Sequence, residues 1–154
     1  MIEILECDFE NEEHCNAQIE LLNHYISDKM GGGIPLSDEQ SSKLIEGLKN
    51  HPSKLIVLAK NGDEFVGLAN CFINFGTFAA KPFINIHDIV VHSSQRGKGV
   101  GDLLMDFISQ RAIELGCGKI TLEVRADNKV AQSLYKKKGY DECEPVMHFW
   151  TKRL

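Results

Sequence analysis

The stretch Ile89-Val90-Val91-His92-Ser93-Ser94-Gln95-Arg96-Gly97-Lys98-Gly99-Val100-Gly101 decides how this chain reads. An apolar run passes into a short polar segment, three glycines follow at alternate positions, and a strongly periodic segment begins. Glycines let the backbone approach a ligand with no Cβ in the way. A helix N-terminus leaves N–H groups unpaired and carries partial positive charge. Together they suit a phosphate or pyrophosphate, and Arg96 and Lys98 add formal positive charge. A tight turn without a ligand is the plain alternative. Two common phosphate fingerprints do not fit. A P-loop needs Ser or Thr after its Lys, but Gly99 follows Lys98; a dinucleotide turn needs G-x-G-x-x-G, but the spacing here is G-x-G-x-G.

Downstream of that turn, Val100, Leu103, Leu104, Phe107, Ile108, Ala112 and Leu115 recur at helical spacing, and Gly116 and Gly118 end the helix. Upstream, Phe83 to Val91 is nearly continuous apolar sequence, as expected of a central strand buried on both faces. Further out, Ile2–Cys7, Leu55–Ala59, Phe65–Phe75 and Lys119–Val124 read as strands. Asn61-Gly62 marks a hairpin, and Gly67 a bulge or a close approach. Glu12 to Met30 reads as a helix ended by Gly31-Gly32-Gly33. Ser37 with Gln40 has capping-box form and opens a second helix to about Asn50. Asp127 or Asn128 caps a helix to Lys138, with Gly139 as its left-handed terminator. Short strands at Asp141–Glu144 and Val146–Lys152 are expected to finish the chain. The order is β-α-α-β-β-β-α-β-α-β-β, an α/β arrangement.

A chain of 154 residues suits one domain, spanning 1–154. The formal net charge of -5 argues against nucleic acid as a partner and favours a cationic one. No apolar run is long enough to span a membrane, and Met1-Ile2-Glu3-Ile4 lacks a signal-peptide pattern. The expected location is therefore cytoplasmic. Cys7, Cys15, Cys71, Cys117 and Cys143 are odd in number and widely spaced, which suits reduced thiols. No ligand cluster suggests a metal.

Two blocks carry a family resemblance. Arg96-Gly97-Lys98-Gly99-Val100-Gly101 matches the pattern [RQ]-x-x-G-x-[GA], preceded by the strand Ile89-x-Val91. Asn128-x-x-Ala131-x-x-Leu134-Tyr135-x-x-x-Gly139-Tyr140 matches N-x-x-A-x-x-L-Y-x-x-x-G-F, with Tyr140 in place of Phe. Over Ile86 to Tyr140 the chain resembles the GNAT family of N-acetyltransferases. The resemblance implies an α/β (α+β) fold, with a mixed, mostly antiparallel central sheet flanked by helices and with splayed fourth and fifth strands. It implies acetyl-coenzyme A as cosubstrate, held in the splay. Main-chain groups of Ile89, Val90 and Val91 would pair with its pantetheine arm. Amides of Arg96, Gly97, Lys98, Gly99, Val100 and Gly101 would hold its pyrophosphate. Asn128 and Ala131 would border the arm. Lys129, Lys136 or Lys137 would lie near the nucleotide phosphate, or simply form a solvated helix face.

The implied chemistry is direct attack of an amine on the thioester. The departing thiolate needs an acid, and the resemblance assigns this to Tyr135, projecting near the cap end of its helix; a packed tyrosine with a satisfied hydroxyl is the alternative. A strand-four N–H, Val90 or Val91, would face the developing negative charge. For the base, His87 and Asp88 are candidates, with Glu123 acting through water as a further one. Adjacent strand residues face opposite sides, so one of the pair at most is expected to meet the acetyl group. The acceptor is expected to be a small-molecule amine. A protein amine, or a non-catalytic acyl-coenzyme A sensor, is the rival reading. Acceptor choice would lie in Glu12–Asn50 and in the loop Asn74–Pro82. Phe149 and Trp150 would pack the last strand or a homodimer contact.

Overall fold

A computed structural model describes residues 1–154. The elements run β1 (Ile2–Glu6), α1 (Glu12–Ile26), α2 (Asp38–Asn50), β2 (Lys54–Asn61), β3 (Glu64–Gly76), β4 (Lys81–Val91), a 3₁₀ turn (Ser93–Gln95), α3 (Val100–Glu114), β5 (Ile120–Leu122) and α4 (Lys129–Lys137). The sheet has five strands in the order β1-β2-β3-β4-β5. Neighbours are antiparallel except β4 and β5, which are parallel.

Two apolar layers cover the sheet. On one face α3 buries Val100, Leu104, Met105, Ile108 and Ala112 against Val57, Ala69, Ile84 and Ile86. On the other, Ala17 and Leu21 of α1 and Leu48 of α2 pack with Ile56, Leu58, Leu68 and Val90. Gly67 sits under α3, where a Cβ would lie 3.0 Å from Val100 and 3.1 Å from Leu104, and it also borders a bulge, since Ala59 pairs with Gly67 and Lys60 with Phe65; both readings of this glycine hold.

The termini follow local chemistry. Asn11 accepts from Glu13 N–H at the start of α1, and Ser37 with Gln40 closes the capping box of α2. The helix expected to reach Met30 instead ends at Ile26. Asp28 takes over the chain there, its side chain accepting from Met30 N–H and its carbonyl from Gly31 and Gly32. Asp competes for backbone donors in this way, and so favours turns over helix interiors.

Two further expectations are corrected. The strand expected over Lys119–Val124 pairs only at Ile120–Leu122, and the strands expected at Asp141–Glu144 and Val146–Lys152 do not form. Residues 141–154 are exposed, with Phe149 and Trp150 packing no strand. Alternating apolar residues confer the tendency to be a strand, but pairing decides whether one forms, and β5 keeps its outer edge unpaired. No helix is long and apolar enough to cross a membrane.

Candidate active site

The β4–β5 ladder is short. Ile84 pairs with Ile120, Asn85 with Thr121 and Ile86 with Leu122, and there it stops. β4 continues to Val91 along β3, so its other edge from His87 onward lies outside any ladder. This is the splay expected of the fourth and fifth strands. Ile89 and Val91 pack on the α3-side core, Val90 on the α1 side.

β4 carries a bulge in the same place. Cys71 pairs with Ile86 and Asn70 with Asp88, leaving His87 as the extra residue. Before the bulge Ile84 and Ile86 face the α3 side; after it Ile89 and Val91 do, while Val90 faces α1. The parity has switched, and His87 and Asp88 share the α1 face. The expectation that they face opposite sides is therefore wrong, because period-2 alternation holds only in an unbulged strand. His87 Nδ1 lies 3.5 Å from Asp88 Oδ2, and Asn70 Nδ2 donates to that oxygen at 3.1 Å. The His87 ring meets the edge of Phe72 at 5.9 Å. Asn70 is 3% exposed, and its Oδ1 has no protein partner.

After Val91 the chain makes one 3₁₀ turn and enters α3. Gly97 and Gly99 have φ of +73° and +85°, conformations that side chains disfavour. A Cβ built on either meets nothing within 4 Å, so the space beside the loop is open to a ligand. Gly101 does something else: its Cβ would come within 3.0 Å of Leu134 Cδ2, so glycine there lets α4 close on α3. Val100 is buried and anchors the helix start.

The charges divide. Lys98 Nζ reaches only the neutral Gln95 Oε1, at 3.4 Å, and keeps its charge for a ligand. The Arg96 guanidinium is engaged, donating to Asp28 Oδ2 at 2.9 Å and to the Val91 carbonyl at 3.2 Å. Asp102, in the first turn of α3, would repel an anion. Lys137 at 2.7 Å and Lys138 at 3.3 Å offset it, and they hold its carboxyl below the usual carboxylate range. Lys137 is thus an α3–α4 tie, and Lys129 meets Gln132 at 3.4 Å.

Asn128 caps α4, its Oδ1 accepting from Ala131 N–H at 3.2 Å. Tyr135 is in the last turn of α4, two turns from that cap rather than near it, and is 7% exposed. It packs in the α3-side core with Ile84 and Ile86. Burial first, then the neighbouring Tyr25, pushes its hydroxyl up to about 12. Tyr135 and the His87–Asp88 pair are thus on opposite faces of β4, flanking the splay. Glu123 is exposed, just beyond β5. Sequence reasoning missed Asn70 and Asp28, and it read His24 as structural or surface, with lining of the acceptor site as the lesser alternative; the partners of all three lie 18 to 69 residues away and leave no local signal.

Residues 7–140 match the model of the acetyltransferase (GNAT) family. The chain is 30% identical over 102 residues to the uncharacterized N-acetyltransferase YhfO of Bacillus subtilis, covering 66% of this chain and 68% of that one. Its fold is similar to the aminoglycoside N-acetyltransferase AAC(6')-Iy solved in complex with CoA (TM-score 0.78, 18% identity, covering 100% of this chain and 96% of that one). It is equally similar to the ribosomal-protein-alanine N-acetyltransferase of Brucella melitensis (TM-score 0.77, 16% identity, 100% of both chains). The chain belongs to the GNAT family and is an acetyltransferase.

Proposed function

We propose that residues 1–154 work as one N-acetyltransferase domain that moves the acetyl group of acetyl-coenzyme A to the amine of a small molecule. One observation carries this reading. β4 loses its partner β5 after Ile86, then runs directly into a loop whose Gly97 and Gly99 open beside a helix N-terminus. An extended ligand could pair along that edge and end in a phosphate.

The cosubstrate supplies the thioester carbon that the amine attacks. Main-chain groups of Ile89, Val90 and Val91 line the pantetheine arm. Amides of Gly97 to Gly101 and the Lys98 ammonium hold the pyrophosphate, while Asn128 and Ala131 border the arm from α4. His87 takes the amine proton at Nε2, because its Nδ1 is turned to Asp88. Asp88, steadied by Asn70, stabilises the charge that forms. An N–H of Val90 or Val91 faces the carbonyl oxygen. Tyr135 returns a proton to the thiolate; its burial keeps the hydroxyl protonated, as an acid must be.

A panel of amines with acetyl-coenzyme A, read by free-thiol release, tests the proposal. Release that requires a small amine supports it. Release only with a peptide amine moves the acceptor to a protein. Tight coenzyme binding with no release under any acceptor makes the chain a sensor.

A further inference from the structure

The end of α1 and the glycine loop meet at two side chains. His24 Nε2 accepts the Ser93 N–H at 3.2 Å, and its ring stacks on His92 with centroids 4.4 Å apart and planes 27° apart. Four residues on, Asp28 Oδ2 takes the Arg96 guanidinium at 2.9 Å. Asp28 is itself fixed by Met30 N–H at 3.0 Å, and Arg96 by the Val91 carbonyl at 3.2 Å. These contacts brace His92 to Arg96, the segment that delivers the chain to Gly97.

Resting on the coenzyme reading of this loop, we propose that His24 and Asp28 are positioning residues of the coenzyme site, and that protonation of His24 weakens coenzyme binding. Only a neutral imidazole presents a lone pair to Ser93 N–H. A proton on Nε2 sets donor against donor, and the loop loses one of its two braces. The surroundings oppose that proton. Burial, then His92 and Arg96, hold His24 below its ordinary value against the pull of Asp28. Glu13 and Glu20 of α1 line the same cavity, together with Lys60, Asp63 and Glu64 of the β2–β3 hairpin. Asp28 acts by neutralising Arg96, whose guanidinium then serves as a strut rather than as a phosphate ligand.

The sign separates this account from simple electrostatics. If the loop's geometry matters, affinity falls on acidification; if His24 acts as one more cation for the phosphates, affinity rises. The probe is dephospho-coenzyme A, which lacks the terminal phosphate monoester that titrates in the same range. Equilibrium dialysis is run between about pH 8 and about pH 4.5, a window that reaches below the ordinary imidazole range because His24 is held under it. Native protein should lose affinity about three- to tenfold, the factor one net hydrogen bond carries. His24→Gln, whose carbonyl accepts Ser93 N–H at every pH, should hold its affinity constant. Asp28→Asn should raise the coenzyme KM about threefold or more with kcat nearly unchanged, and Asp28→Glu should recover part of the loss. Affinity that rises at low pH, a dependence that survives His24→Gln, or an unchanged coenzyme KM in Asp28→Asn overturns the positioning role alone. Native protein that binds no dephospho-coenzyme A at any pH overturns the coenzyme reading as well.

Discussion

His87 Nδ1 and Asp88 Oδ2 lie 3.5 Å apart on one face of β4, although the residues are consecutive in a strand. The bulge makes this possible, and it brings two candidate bases together as a pair. His87→Gln should lower kcat/KM on the order of 10²-fold, and Asp88→Asn by about tenfold. Because the two act together, the double variant should lose little more than His87→Gln alone. Steady-state rates for all three variants, taken with two acceptors of different basicity, check this. Losses that multiply would make the side chains independent.

Tyr135→Phe keeps the ring in its apolar site and removes the proton. With chemistry rate-limiting, kcat should fall on the order of 10²-fold while coenzyme affinity stays nearly constant. The native hydroxyl is pushed up to about 12, so its ionisation should produce no fall in kcat below pH 10, its ordinary value. Wild-type kcat in the variant would leave Tyr135 as a packing residue.

Gly99 and Gly101 should respond differently. Gly99→Glu puts a carboxylate into the open space beside the loop, and coenzyme affinity should fall by at least about tenfold, or about 1.4 kcal/mol. Gly99→Ala should cost about 1–2 kcal/mol of stability, because φ there is +85°. Gly101→Ala brings a Cβ to 3.0 Å of Leu134 Cδ2, so it should act on stability through the α3–α4 contact. Titration calorimetry and thermal melts separate the two effects, and an intact coenzyme affinity in folded Gly99→Glu removes the phosphate role.

Alkaline pH should destabilise the fold by a definite mechanism. Burial pushes the Cys7 and Cys71 thiols from 9.0 up to about 12, and the Tyr135 and Tyr140 hydroxyls from 10.0 up to about 12. A raised folded-state value means that the folded chain holds these protons more tightly than the unfolded chain does. The stabilisation is complete below about pH 9 and is lost as pH rises from there towards about 12. Urea midpoints should decline across that window, with a shallower slope in Cys71→Ala. A flat profile would show that the thiols reach solvent.

The elements most legible in the sequence were those made by neighbours along the chain. The Ser37–Gln40 capping box, the Asn128 cap and the left-handed Gly139 are built from residues within a few positions of each other. The stripe of α3 and the glycine loop are likewise local, and so were readable as a helix entered through an open turn. Gly67 announced a bulge or a close approach without saying to what; the register against β2 shows the bulge, and Val100 and Leu104, more than 30 residues later, are what it approaches.

Tertiary structure decided whatever depends on which strand lies beside which. A nearly continuous apolar run marked Phe83–Val91 as a strand, but only its register against β3 shows the extra residue that turns His87 and Asp88 to one face. Residues 141–154 have strand-like spacing yet stay unpaired, although β5 leaves its outer edge free. His24 meets Ser93, and Asp28 meets Arg96, across 69 and 68 residues. Helix stripes and caps follow from interactions within one or two turns, which the sequence states in order. Pairing, register and long-range side-chain contacts are chosen by the whole packed chain, where a single bulged residue reverses every side chain beyond it.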